Sequence, residues 1–216
     1  MRIGILGAGR MGQMLARLLI RAGHSVQLSN ARGPESLAGI IAELGPGASA
    51  AAPAAMLAGN TVIILATRWD QTPNAVGGLG SWEGKVVIDT TNNRFGPNPA
   101  DMYDLGGNTS SEIVAALIPG ARLVKAFNHQ PIPALATMGE TTGGERRALF
   151  VAGDDQAANQ LVAGLIRAMG GEPIETGDLH TGGRLQATGG PLAGQGRLLS
   201  VTEARAMLRN QQGVSV

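Results

Sequence analysis

Cysteine is absent from the 216 residues. That excludes a disulfide framework, a thiolate nucleophile and a cysteine-ligated iron–sulfur cluster, and it fits a cytoplasmic protein. Aromatic residues are scarce, at 3% against 44% apolar residues overall, so the core has to be packed from Ala, Val, Leu and Ile. An excess of one charge is also missing: the formal net charge is +1 and the basic residues are scattered. There is therefore no electrostatic footprint for nucleic acid. No apolar run approaches the ~18 residues of a membrane-spanning helix, so no membrane partner is expected. His24, His129 and His180 lack metal-ligand spacing, so no metal is expected. Ser110 and Ser200 lack a G-x-S-x-G setting, which argues against a hydrolase. What the chain has in abundance is glycine, 33 residues and about twice the ordinary share, clustered between apolar runs.

The first of those clusters organises the chain. Ile3 to Leu6 reads as a short buried strand, and Gln13 to Ile20 is rich in helix formers. Between them stands Gly7-Ala8-Gly9-Arg10-Met11-Gly12, spaced G-x-G-x-x-G. In a strand–helix setting Gly7 permits the tight turn, Gly9 lets a pyrophosphate approach the backbone, and Gly12 lets helix and strand pack closely. The helix N-terminus then offers free N–H groups and a positive dipole end to the phosphates. A second strand, Ser25 to Ser29, follows. Where an NAD site places an acid on the ribose, this chain has Ser29-Asn30-Ala31-Arg32, with no carboxylate before Glu35. Hydroxyl, amide and guanidinium groups donate to a 2′-phosphate that an acid would repel. The expected cofactor is NADP(H).

Further along, Pro34 to Leu44 reads as a helix, Ala48 to Ala52 as a strand and Thr61 to Ala66 as the clearest buried strand. Its end, Ala66-Thr67-Arg68-Trp69, belongs at the carboxyl edge of the sheet, where open α/β sheets bind ligands. Lys85 to Asp89 is a fifth strand, and Ser110 or Ser111 is expected to cap a helix ending at Leu117. Arg122 to Phe127 is a sixth strand, followed by Asn128-His129-Gln130-Pro131. The alternation predicts an α/β fold: a Rossmann-type doubly wound parallel sheet over residues 1–127, with a smaller α/β extension over 128–216. That extension holds a strand at Arg147 to Ala152, a helix from Asp154 or Asp155 to Met169, a short strand at Glu172 to Glu175, and a final helix at Val201 to Gln211. Gly177 to Gly196 reads as a long segment without regular structure, of the kind that is usually functional or disordered.

Taken together, Gly7-x-Gly9-x-x-Gly12, the Ser29 to Arg32 loop, Trp69, Val124-Lys125-Ala126-Phe127-Asn128, Ala152-Gly153-Asp154-Asp155 and Gly190-Pro191-Leu192 resemble the NADPH-dependent coenzyme F420 reductases over nearly the whole chain. The resemblance implies hydride transfer between NADPH and a stacked deazaflavin, in a cytoplasmic homodimer. Carried over by position, Gly7 to Gly12 hold pyrophosphate, while Ser29, Asn30 and Arg32 hold the 2′-phosphate. Ala66, Thr67, Arg68, Ala126 and Asn128 border the cofactor. His129, Pro131, Gly190, Pro191 and Leu192 border the acceptor, which is F420, a flavin or another small redox molecule. Hydride transfer between flat rings needs alignment and exclusion of water more than a dedicated acid or base, so no residue is marked as catalytic. His129 is the best-placed proton donor for a carbonyl or imine. A non-catalytic NADPH sensor, or a reductase of a ferric chelate, are the other readings.

Overall fold

A computed structural model describes residues 1–96, 98, 100–140 and 145–212. The elements run in order as β1 (Arg2–Leu6), α1 (Arg10–Arg21), β2 (Ser25–Ser29), α2 (Ala38–Leu44), β3 (Ala48–Ala50), α3 (Pro53–Gly59), β4 (Val62–Leu65), α4 (Thr72–Val76) and β5 (Val86–Asp89). They continue as α5 (Ser110–Leu117), β6 (Arg122–Ala126), α6 (Ile132–Leu135), β7 (Arg147–Gly153), α7 (Gln156–Ala168), β8 (Gly171–Gly177), α8 (Thr181–Gln186), β9 (Leu199–Ser200) and α9 (Val201–Gln212).

The central strands are apolar on both faces, and their residues divide between two cores by strand periodicity. Ile3, Ile5, Val62, Ile64, Val86, Ile88, Val124 and Ala126 join one core with Leu15 and Leu19 of α1 and Val162 and Ile166 of α7. Ile63, Leu65, Val87 and Leu123 join the other, with Met56 of α3, Val76 of α4 and Val114 of α5. Helices therefore cover both faces of one sheet, ordered β3-β2-β1-β4-β5-β6-β7-β8. All pairings from β3 to β6 are parallel. The reversal of strand order on either side of β1 leaves a crevice at the carboxyl edge of β1 and β4.

Beyond β6 the structure departs from a purely parallel sheet. β7 runs antiparallel to β6, β8 is parallel to β7, and β9 pairs antiparallel with the start of β7. The sheet thus continues unbroken past residue 127.

Several local expectations need correction. The cap of α5 is Thr109, not Ser110 or Ser111: its side chain accepts the Glu112 amide while the Glu112 carboxylate accepts the Thr109 amide. The two serines are occupied deeper in the structure. Pro34–Leu37 forms a separate 3₁₀ turn before α2. Gly177 to Gly196 is not devoid of structure, since α8 lies within it. Glycine's low helix propensity hides that helix in the sequence. Tertiary contact explains it: a Cβ at Gly182 would come within 2.8 Å of the Thr176 backbone, so only glycine lets α8 lie this close to β8. At the start of α7 Asp155 does cap, accepting the Ala158 amide at 2.7 Å.

Candidate functional site

At the end of β1, Gly7 has φ 112°, and its amide donates to the Ser29 carbonyl at 2.9 Å. A Cβ at Gly7 would strike the Ala66 carbonyl, and one at Gly12 would strike the Gly7 carbonyl. Both glycines are therefore required by close backbone approach. Gly9 differs: nothing lies within 4 Å of where its Cβ would stand. It is the N-cap of α1 without a side-chain cap, and the first turn carries no acid. The result is an open cradle of amides at a positive helix end, suited to an anion.

At the end of β2 the groups divide. Asn30 Oδ1 accepts the Arg32 amide at 2.9 Å and the Ser36 hydroxyl at 3.2 Å, so Asn30 shapes the loop as an Asx turn. Ser29 is fully buried and its hydroxyl has no hydrogen-bond partner among the described residues. The Arg32 and Arg10 side chains are exposed and form no ion pair among the described residues.

Across the crevice, a cleft of about 400 Å³ opens at the ends of β4 and β5, lined by Thr67, Arg68, Trp69, Thr90, Thr91, Asn92, Arg94, Phe95 and Gly96. Arg68 is held by Asp70 through two bonds of 3.1 and 3.0 Å. The chain has only six Phe, Trp and Tyr residues. Three of them, Trp82, Phe127 and Phe150, are buried in the cores. The other three gather here: Trp69 and Phe95 line the cleft, and Tyr103 meets Phe95 edge-on at 5.2 Å. Phe95 is 57% exposed, an unfavourable state for a ring that large unless something covers it.

Behind the cleft lies a buried polar cluster that sequence reasoning missed. Asp89 ends β5 and Lys125 stands opposite it on β6. Their side chains, 0% and 1% exposed, pair at 2.9 Å. Asp89 also accepts the Ser111 hydroxyl at 2.8 Å, the Thr91 amide at 2.8 Å and the Thr91 hydroxyl at 2.7 Å. Lys125 also donates to the Thr91 carbonyl and, at 3.1 Å, to Ser110 Oγ. Burial pushes the Lys125 pKa down, and the Asp89 charge opposes that shift. One signal in the sequence pointed here: Asp89 and Lys125 set charges of opposite sign just beyond the apolar runs Val86 to Ile88 and Leu123 to Val124.

The acceptor residues expected after β6 are not brought together. Phe127 takes φ 64°, alone among the described non-glycine residues, and turns the chain so that Asn128 meets Asn92 and Gln186. Asn92 Nδ2 donates to the Asn128 carbonyl at 2.9 Å, and Asn128 Nδ2 donates to the Gln186 carbonyl at 2.8 Å. Ala126 points into the core. Pro131 borders a separate hollow with Pro133, Arg147 and Arg197, which shares no residue with the cleft. Gly190 is fixed by packing, since its Cβ would lie 2.5 and 2.6 Å from the Arg184 and Leu185 carbonyls. Leu192 is buried beneath β7 and α9, and only Pro191 of that trio is exposed.

His129 is not placed to donate a proton to a substrate. It is 4% exposed, and its Nε2 accepts the Phe150 amide at 3.3 Å. Burial lowers its pKa to about 3; the neighbouring Gln186 side chain opposes the shift and the Lys125 charge adds to it. The unfolded chain therefore binds this proton first as pH falls, and stability is lost from about pH 6.5 downward. We expect a loss on the order of 4 kcal/mol by pH 3 from this group. His129→Gln, which keeps an acceptor for Phe150, is expected to flatten the acid limb of Tm against pH, and an unchanged limb would refute that assignment.

Residues 2–93 match the family described as NADP oxidoreductase, coenzyme F420-dependent. Protein SMa0349 of Sinorhizobium meliloti, a hypothetical protein of known structure, is 35% identical, with a TM-score of 0.84 over 92% of this chain and 95% of that one. A candidate F420-dependent NADP reductase from Arthrobacter sp. FB24 is 28% identical, with a TM-score of 0.71 over 83% and 86%. The rat metalloreductase STEAP3 is 29% identical over 187 residues, 86% of this chain, which spans only 36% of that protein's length. No helix among the described residues is long and apolar enough to cross a membrane. A glycine cradle beside a β2 end without an acid is what an NADP enzyme needs, and it lies within the residues that match the F420-dependent NADP oxidoreductase family.

Proposed function

We propose that this protein passes hydride between the nicotinamide of NADP(H) and a flat redox acceptor, with a deazaflavin such as F420 the first candidate. The observation that carries the reading is the placement of two aromatic rings, half-buried Trp69 and exposed Phe95, in one cleft on the carboxyl edge of β4 and β5, with Tyr103 edge-on to Phe95. Rings of this kind stack on flat conjugated surfaces. The cradle fits the cofactor on its own geometry. The space open at Gly9 and the uncapped amides of α1 suit pyrophosphate, and Arg32, exposed and in no ion pair among the described residues, suits the 2′-phosphate. NADPH, when bound, supplies the hydride. The chain's own part is to align: Thr67 and Thr90 bound the cleft floor, and Trp69 and Phe95 shield its side from water.

Following NADPH absorbance with F420, free flavins, ferric chelates and small carbonyls or imines tests this. Rapid oxidation by F420 or a flavin is expected. Tight NADPH binding without oxidation by any acceptor would instead make the protein a sensor. Turnover confined to ferric chelates would point to the activity that the rat relative's name carries.

Cofactor choice gives a second expectation. Arg32→Ala should cost NADPH about 10- to 150-fold in affinity, the worth of one charge-assisted bond of roughly 1.5–3 kcal/mol, and leave NADH nearly unaffected. Titration of both cofactors by fluorescence measures it, and equal losses for the two would place Arg32 elsewhere.

A further inference from the structure

We propose that the buried Asp89–Lys125 pair is a positioning device for the acceptor cleft, holding Thr91 and through it the wall from Thr90 to Asn92. The inference rests on the function proposed above. Every polar group of Thr91 is bound to the pair: its amide and hydroxyl donate to Asp89, and its carbonyl accepts from Lys125. Thr91 lines the cleft, as do its neighbours Thr90 and Asn92. Thr90 is tied in turn to the Leu65 carbonyl by its hydroxyl at 2.9 Å and its amide at 3.2 Å. Asn92 is tied to Asn128. A turn leaving a strand end would ordinarily be the most adjustable part of such a site. Here it is fixed to β4, β5 and β6 at once, and Ser110 and Ser111 fix it to the start of α5.

Stability alone does not account for the pair. An apolar pair of similar volume is often as stable as a buried ion pair, or more so, because both charges must be stripped of water. What an apolar pair cannot do is bind an amide, a hydroxyl and a carbonyl of one residue in fixed directions. Neither charged group reaches the cleft surface, so the pair acts through Thr91 and not on substrate.

The test is Asp89→Asn together with Lys125→Met, which removes both charges and keeps an acceptor for the Thr91 amide. NADPH affinity should stay within about threefold of wild type, since the cradle lies on α1 and β2. The acceptor-dependent kcat should fall by about tenfold or more, as expected when a reacting ring is misplaced by a fraction of an ångström. The fluorescence gained by reduced nicotinamide on binding should also drop, a readout that needs no turnover. Ser111→Ala, which lies behind the pair and lines none of the cleft, should show the same pattern at a few-fold scale in a protein that keeps its fold. Wild-type kcat and nicotinamide fluorescence in both variants would overturn the inference. Parallel loss of NADPH affinity would also overturn it, by making the pair a general support of the fold. Absence of acceptor turnover in the wild type would instead count against the proposed function, leaving the fluorescence comparison to decide the role of the pair.

Discussion

Gly9→Val is expected to abolish useful NADPH binding while leaving the fold intact. The two halves of this expectation come from one fact, that a Cβ at Gly9 meets no atom of the protein within 4 Å. A side chain there would therefore start out into open space in the free chain. The valine methyls would fill the space at the start of α1 that a pyrophosphate has to enter. Losing two charge-assisted bonds to backbone amides costs about 3–6 kcal/mol, or roughly 10²- to 10⁴-fold in affinity. Calorimetric titration on protein with an unchanged melting temperature measures the effect. Wild-type affinity would remove the glycine loop from the phosphate site altogether. Gly7 and Gly12 offer no such clean experiment, because their substitution would drive a side chain into the backbone.

Lys125→Met alone should be the most destabilising of the single substitutions considered. It leaves the Asp89 carboxylate, 0% exposed, without a counter-charge, although Thr91 and Ser111 still donate to it. Breaking one side of a buried pair typically costs about 3–5 kcal/mol. For a chain of this length that corresponds to a fall in Tm of roughly 6–20 °C. Adding Asp89→Asn should restore much of the loss, since the orphaned charge is then gone. Thermal and urea unfolding of the two variants side by side checks this. A single variant as stable as wild type would show that water reaches Asp89.

The fold of the first six strands was legible from the chain because its signals are local. The three glycines, the buried strand Val62–Leu65 and the missing acid after Ser29 all act within a few residues of themselves. The acceptor side was read less well, and for identifiable reasons. Gly190 and Leu192 look like a loop built for a ligand, yet the first is small because the end of α8 passes against it and the second fills a core. His129 carries a titratable ring, but its neighbours across β7 are invisible in sequence, and they turn it into a buried acceptor for Phe150. Conversely, Trp69 and Phe95 lie far apart in the chain, and no periodicity brings them to one cleft. Asp89 and Lys125 are thirty-six apart and meet only because β5 and β6 are parallel neighbours in register. What depends on sheet order could be guessed only as far as sheet order itself was known.

The antiparallel pairing of β7 with β6 has a consequence for how the molecule can be divided. A fragment cut after Phe127 would retain every strand from β1 to β6 and the whole glycine cradle. It would also uncover one side of β6, where Val124, Lys125 and Ala126 now pair with Gly153, Ala152 and Val151. Such an apolar, unpaired margin is a template for adding strands from other copies. The fragment would further lose α7, whose Val162 and Ile166 pack into the same core as α1. The residues after 127 are thus the selvedge of the sheet, and a nucleotide-binding half cut loose from them would fray into aggregates before it could bind anything.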